Sequence, residues 1–289
     1  MDAMLQLAFS TLCCPDWTLR QVARAAIDSR FEGVELRTLG GGSGRLACDP
    51  ALTAPAKIVE ELFADDGVEI AGVAASTRFD APISPPVLGW AIGDTEREVR
   101  DAKRHLDLAA ALGAGYLRVF AFEPEPGERP SRAIKRIARR LALVCDHARS
   151  MGVTVALENA GGYPRAAQIA EIIDRVHSPH LSASYSIAVG ATAGDDPDEA
   201  ARVLGDRLVV GRVKDLRDGS PCLPGDGHIP CREFVESLCS APGARWAVFE
   251  WDRAWLPDLA GPAEVLPEAE RRLCKWAYGP ADTAVRAGV

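Results

Sequence analysis

The stretch LVVGRVKDL, residues 208–216, opens apolar and ends in charge. Leu208, Val209 and Val210 have the continuous apolar character of a parallel strand covered on both faces. Arg212, Lys214 and Asp215 crowd its far end. A buried strand gains nothing from three charges at one end, so the stretch reads as a strand that delivers polar groups to a site. The same grammar recurs along the chain: a short apolar strand, a polar loop, then an amphipathic helix. Strands are expected at 5–11, 33–37, 68–75, 116–120, 154–159, 181–186, 208–214 and 246–251.

The helices between them show a 3.6-residue period. Val99, Ala102, Leu106, Ala109 and Leu112 form one apolar stripe that Gly113 ends. Ile134, Ile137, Leu141, Val144 and Ala148 form another, closed by Gly152, with Ser131 as its expected N-cap after Pro130. A last helix is expected over 267–278. No Gly/Ser linker divides the eight β/α units, and no G-x-G-x-x-G follows the first strand, which weakens a doubly wound sheet. The expected fold is α/β, a single (β/α)8 barrel forming one domain over residues 1–289.

Composition narrows the partners. The 289 residues are 47% apolar, enough for a large core, and carry a net charge of −8. An acidic balance argues against a nucleic-acid partner, since a phosphate backbone calls for a basic surface. No apolar run reaches the ~20 residues that span a bilayer, so no membrane association is expected. The first residues carry Asp2 and lack a basic stretch, which speaks against a signal peptide and for a cytoplasmic protein. Eight cysteines contain no C-x-x-C pair and read as buried or incidental thiols, with Cys13 and Cys14 the two to watch.

In such a barrel the chemistry sits at the C-terminal ends of the strands. Strand 2 ends with Glu35 and Arg37, and Ser76 and Arg78 follow strand 3. Arg118 lies on strand 4, Glu158 and Asn159 on strand 5, Tyr185 and Ser186 on strand 6. Arg212, Lys214 and Asp215 close strand 7, and Glu250 and Asp252 close strand 8. Two opposed carboxylates suit proton abstraction beside a carbonyl. The plainer reading of any one of these residues is structural pairing across the barrel mouth.

At these residues the chain resembles the xylose isomerase-like TIM barrel superfamily, in its sugar phosphate isomerase/epimerase branch. LAFSTLCCPDWTL is similar to that family's first strand and turn, FEGVELRTLGG to its second strand, LGAGYLRVF to strand 4 and GVTVALEN to strand 5. VKD, PGDGHIP and FEWDRAWLPDL resemble strand 7, the loop after it and strand 8. The resemblance implies a divalent cation held by Glu, Asp, His and Glu from strands 5, 6, 7 and 8, with both Glu residues exchanging protons. Glu158 and Glu250 match. Ser186 stands at the Asp position, Arg212 at the strand-7 His, and Val189 and Ala160 at two further histidines.

Two carboxylates are a poor cage, and a guanidinium does not lose its proton, so no metal and no cofactor are expected. Arg212 is expected at the former metal position, paired with Glu158, Glu250 or both, or binding a substrate oxyanion. Arg37, Arg118, Ser186, Lys214 and His228 complete the expected substrate-binding set, with Glu158 and Glu250 catalytic. His105, His147, His177 and His180 read as helix or loop surface residues. The implied function is metal-independent isomerisation, epimerisation or elimination on a small carbohydrate-like, anionic substrate. The alternative is a catalytically inactive barrel that binds a sugar-like ligand or a protein partner. Barrels of this family often form a homodimer. The family's apurinic endonucleases depend on the absent ligands and are set aside.

Overall fold

Side chains alternate along a strand, so every second residue of a barrel strand enters the interior and the rest meet the helices. The computed structural model describes residues 4–38, 56–80, 97–124 and 126–286. Its strands are β1 (Gln6–Ser10), β2 (Gly33–Arg37), β3 (Glu69–Arg78), β4 (Tyr116–Phe120), β5 (Thr154–Glu158), β6 (Leu181–Ser186), β7 (Leu208–Val213) and β8 (Trp246–Phe249). They close into a parallel barrel in chain order, β8 pairing back onto β1 through Gln6–Trp246 and Phe9–Phe249. The fold is a single (β/α)8 barrel. A small antiparallel hairpin, Asp215–Arg217 with Ser220–Cys222, stands beyond β7.

The outer layer holds α1 (Leu19–Asp28), α2 (Ala56–Asp65), α3 (Arg97–Ala111), α4 (Pro130–Ala148) and α5 (Ala166–Val176). It continues with α6 (Ile187–Thr192), α7 (Pro197–Leu204), α8 (Cys231–Ser240) and α9 (Pro262–Arg286). The larger core lies between strands and helices, where Phe9, Leu36, Leu106, Leu141, Ile169 and Phe234 are fully buried. A separate, smaller core of Ala8, Ala71, Tyr116, Ala156, Val210, Trp246 and Val248 plugs the barrel interior. Two glycines make room for its rings. A Cβ on Gly33 would stand 2.6 Å from the Trp246 ring, and one on Gly72 2.3 Å from the Tyr116 ring.

Several local expectations need correction. Arg129 is the residue before the first turn of α4 and Pro130 opens it, so Ser131 is already helical and caps nothing. Proline at the first turn needs no N–H partner, which lets the helix begin there. The last helix starts at Pro262, five residues before the expected start at 267, for the same reason. His105 is not a surface residue but is buried on α3, its Nδ1 3.3 Å from the Thr77 hydroxyl. Cys13 and Cys14 are buried, Cys239 is exposed, and Cys48 lies outside the described residues. No helix among the described residues is long and apolar enough to cross a membrane.

Candidate active site

The inward parity gathers the charged strand ends. On β2 it selects Gly33, Glu35 and Arg37; on β4, Tyr116, Arg118 and Phe120; on β5, Ala156 and Glu158. On β6 it selects Ser182, Ser184 and Ser186, and on β7 Val210 and Arg212. Lys214 and Glu250, one residue past β7 and β8, continue the same face. Above the apolar plug Glu35, Arg118, Glu158, Arg212, Lys214 and Glu250 form one ion network.

Arg212 is its centre, with 1% of its side chain exposed. Its Nη1 and Nη2 grip Glu35 from both ends, Nη2 donating to Oε1 at 3.1 Å. Nη2 also donates to Glu250 Oε2, and Nε donates to the same oxygen at 3.1 Å. Nε lies 3.1 Å from Glu158 Oε2 as well, an ion pair without hydrogen-bond alignment. Glu158 Oε2 has a second cation beside it, Arg118 Nε at 3.1 Å, again poorly aligned. Arg118 Nη1 donates to the Ala75 carbonyl at 3.0 Å, and its guanidinium lies 4.3 Å above the Phe120 ring.

The flanks are held by ordinary means. Tyr116 donates its hydroxyl to Glu35 Oε2 at 2.9 Å from the barrel floor. Lys214 Nζ bridges Glu250 Oε1 at 2.9 Å and Asp252 Oδ2 at 3.0 Å. Arg37 donates to the Ala74 carbonyl at 2.7 Å, the Thr38 carbonyl at 3.0 Å and Ser76 Oγ at 2.9 Å, so it leans on neutral acceptors.

These surroundings drive the carboxylates apart. Burial pushes Glu158 up, and the neighbouring Arg118 and Arg212 do not fully offset it. Burial also works against Glu250, but Arg212 and Lys214 outweigh it and hold that carboxyl well below the usual range. Glu35 is lowered too, burial being overcome by Arg212. Burial and the nearby Arg118 push Arg37 down to about 9, still a cation at neutral pH.

The structure thus brings together Glu158, Glu250, Arg37, Arg118, Arg212 and Lys214, with Ser186 abreast of Arg212 in the ladder. The Ser186 N–H donates to Asn159 Oδ1 at 2.6 Å, which fixes the two strand ends to each other. His228 is set apart: its side chain is 72% exposed, with Asp218 Oδ1 3.6 Å from its Nε2. Asp215 anchors a loop instead of facing the site, accepting N–H bonds from Leu216, Gly225, Gly227 and Ile229. Two participants had no role assigned from sequence. Glu35 shares Arg37's inward parity, which is the signal that could have placed it. Tyr116 gave none, because a phenol at the start of a strand reads as core.

The donor set does not fit a divalent cation. Glu35, Glu158 and Glu250 converge on a guanidinium, and no three His, Cys, Asp or Glu side chains among the described residues are grouped to hold a metal.

The architecture is shared with solved structures. An L-ribulose 3-epimerase matches with a TM-score of 0.76 at 17% identity, over 99% of this chain and 99% of that one. A xylose isomerase domain protein from Alicyclobacillus acidocaldarius matches at 0.70 and 22% identity, over 95% of this chain and 98% of that one. The IOLI protein, solved with a zinc atom, matches at 0.76 and 14% identity, over 94% and 98%. Identities this low establish the common fold. No curated protein sequence matches the chain. The family model of the xylose isomerase-like TIM barrel matches residues 23–275, nearly the whole barrel, and the chain therefore belongs to that family.

Proposed function

We propose that the protein is an isomerase- or epimerase-type enzyme that moves a proton on carbon beside a carbonyl of a small, anionic, carbohydrate-like substrate, without a metal ion. One observation carries this reading. Of the three carboxylates around Arg212, Glu158 alone keeps an oxygen without an aligned hydrogen bond and has its proton affinity raised. Two carboxyls with opposed proton affinities in one site are the mark of divided labour. In isomerisation Glu158 takes the proton from one carbon and returns it to the neighbouring carbon on the same face; in epimerisation Glu158 takes the proton and a second acid on the opposite face supplies its replacement. Glu250, held as an anion by Arg212 and Lys214, is a weak base and serves to fix Lys214 at the mouth. That differs from an equal partnership of the two glutamates.

Arg212 acts as the internal counter-cation, since Nε and both Nη nitrogens are already committed to carboxylates. The substrate's charge and the developing enediolate fall to Arg37, Arg118 and Lys214, of which Arg37 has no carboxylate partner among the described residues. The epimerase among the similar structures fits the same chemistry. A second reading, a barrel that binds a sugar-like ligand without turning it over, draws on the internal saturation of Arg212. Proton exchange separates the two. Ketopentoses, ketohexoses and their phosphates are incubated with the protein in D2O and followed by NMR. Loss of one C–H signal, abolished by Glu158→Gln, is expected; no exchange across the panel would leave the binder.

A further inference from the structure

The inward face of β6 departs from what a barrel interior normally carries. Layers inside such a barrel are dominated by bulky branched residues, but β6 presents Ser182, Ser184 and Ser186. Its outward face, Leu181, Ala183 and Tyr185, packs normally into the helix layer. Small hydroxyls therefore stand between the strand that carries Glu158 and the strand that carries Arg212. Ser184 is abreast of Glu158 on one side and Val210 on the other.

Ser184 is fully buried, and its Oγ makes no hydrogen bond among the described residues. The same holds for Glu158 Oε2 and Arg118 Nε, whose residues are 7% and 3% exposed. Glu158 Oε2 and Arg118 Nε are ion-paired at 3.1 Å but not aligned for a hydrogen bond, so both keep directional capacity beside Ser184 Oγ, which has no partner among the described residues. The chemistry of a shared partner is fixed by what each atom offers. Arg118 Nε is a donor, Glu158 Oε2 an acceptor, and Ser184 Oγ–H a donor with acceptor capacity. One hydroxyl has the capacity that matches all three: it can donate its hydrogen to Glu158 and accept from Arg118 and Ser184.

We propose that Ser184, Arg118 and Glu158 form a subsite for a substrate hydroxyl on the carbon that Glu158 deprotonates, which makes the substrate an α-hydroxy carbonyl compound of the ketose type. This rests on Glu158 as the proton-transfer residue. A water molecule suits the same three atoms in the absence of ligand.

The test uses crystals of the full chain, with and without soaked D-ribulose and D-fructose, together with deuterium exchange of both sugars in solution. A sugar hydroxyl within hydrogen-bond distance of Ser184 Oγ, Arg118 Nε and Glu158 is expected. Ser184→Ala, which keeps the space, should weaken sugar binding up to about tenfold, and Ser184→Val, which fills it, should abolish binding. A position that keeps a water or stays closed in every soak overturns the proposal. So does a Ser184→Val protein that binds sugar as the unmodified protein does. A seated hydroxyl with no deuterium exchange would sink the proton-transfer reading while leaving the subsite standing. Exchange with the hydroxyl seated elsewhere would do the reverse.

Discussion

Arg212 and its three carboxylates show how much depends on one side chain. Replacing it by Met leaves Glu35, Glu158 and Glu250 facing one another in a dry interior. Removing one member of a buried ion network costs about 3–5 kcal/mol, so Arg212→Met should lower the urea midpoint markedly. Tyr116→Phe removes only one hydrogen bond to Glu35, at 2.9 Å, and should cost about 1–2 kcal/mol in the same titration. Equal losses from the two would refute the central place of the guanidinium. A pH prediction follows from Glu158, whose carboxyl is raised above its ordinary 4.5 by burial and by the nearby Glu250 and Glu35, against Arg118 and Arg212. As the proposed base it must first lose its proton, so kcat/KM should climb with pH through a midpoint above 4.5. Glu35→Gln removes one negative neighbour and should move that midpoint down. Stability runs the opposite way for this group, because its raised affinity favours the folded state below the unfolded value and that share is lost as pH rises through the folded one. Glu250 contributes in the other direction: its stabilisation is present above the unfolded value and is lost as pH falls through the folded one.

Among the elements, β2 and β3 are shaped by their glycines as much as by their apolar residues. Gly72→Ala would drive a Cβ to 2.3 Å of the Tyr116 ring, and that ring carries the hydroxyl that orders Glu35. Overpacking of this kind costs about 1–3 kcal/mol, and the displaced phenol should cut activity beyond the stability loss. Activity that merely follows the folded fraction in a denaturant series would refute that coupling. The strands themselves were legible: continuous apolar runs at regular intervals fix a covered parallel sheet, and each expected strand is present within a few residues. Their polar ends were legible for the same reason, since Arg212 and Glu158 have no stabilising role in an apolar run. What escaped was contact across the barrel. Nothing local joins Glu35 on β2 to Arg212 on β7, because the closure that makes them neighbours is a property of eight strands together. His105 misled for a related reason: it sits on the buried stripe of α3, but a histidine there is indistinguishable by type from a surface one. The hairpin after β7 was also hidden, being built by Asp215 gathering backbone N–H groups of the following loop.

For the molecule as a whole, the charge of the barrel mouth decides what it can hold. Among the described residues, Glu35, Glu158, Glu250 and Asp252 face Arg37, Arg118, Arg212 and Lys214, and all but Arg37 are ion-paired. A divalent cation entering there would have to displace the Arg212 guanidinium from carboxylates that grip it from several sides, or sit beside it at like charge. Neither route offers a closed ligand set, because no three His, Cys, Asp or Glu side chains among the described residues are grouped to hold an ion. Removal of metal should therefore leave the protein as it was. Dialysis against EDTA is expected to change neither the thermal midpoint nor the rate of proton exchange, and added Mn2+, Zn2+ or Co2+ should not raise the midpoint, as a ligand bound only to the folded state would. An anionic ligand should do the opposite. It supplies the direct anionic partner that Arg37 lacks among the described residues, so a sugar phosphate should raise the midpoint where the free sugar raises it less, and added salt should narrow the difference. A metal retained in stoichiometric amount, with the midpoint falling on its removal, would mean that Arg212 swings out of the network and that the carboxylates are a metal site after all.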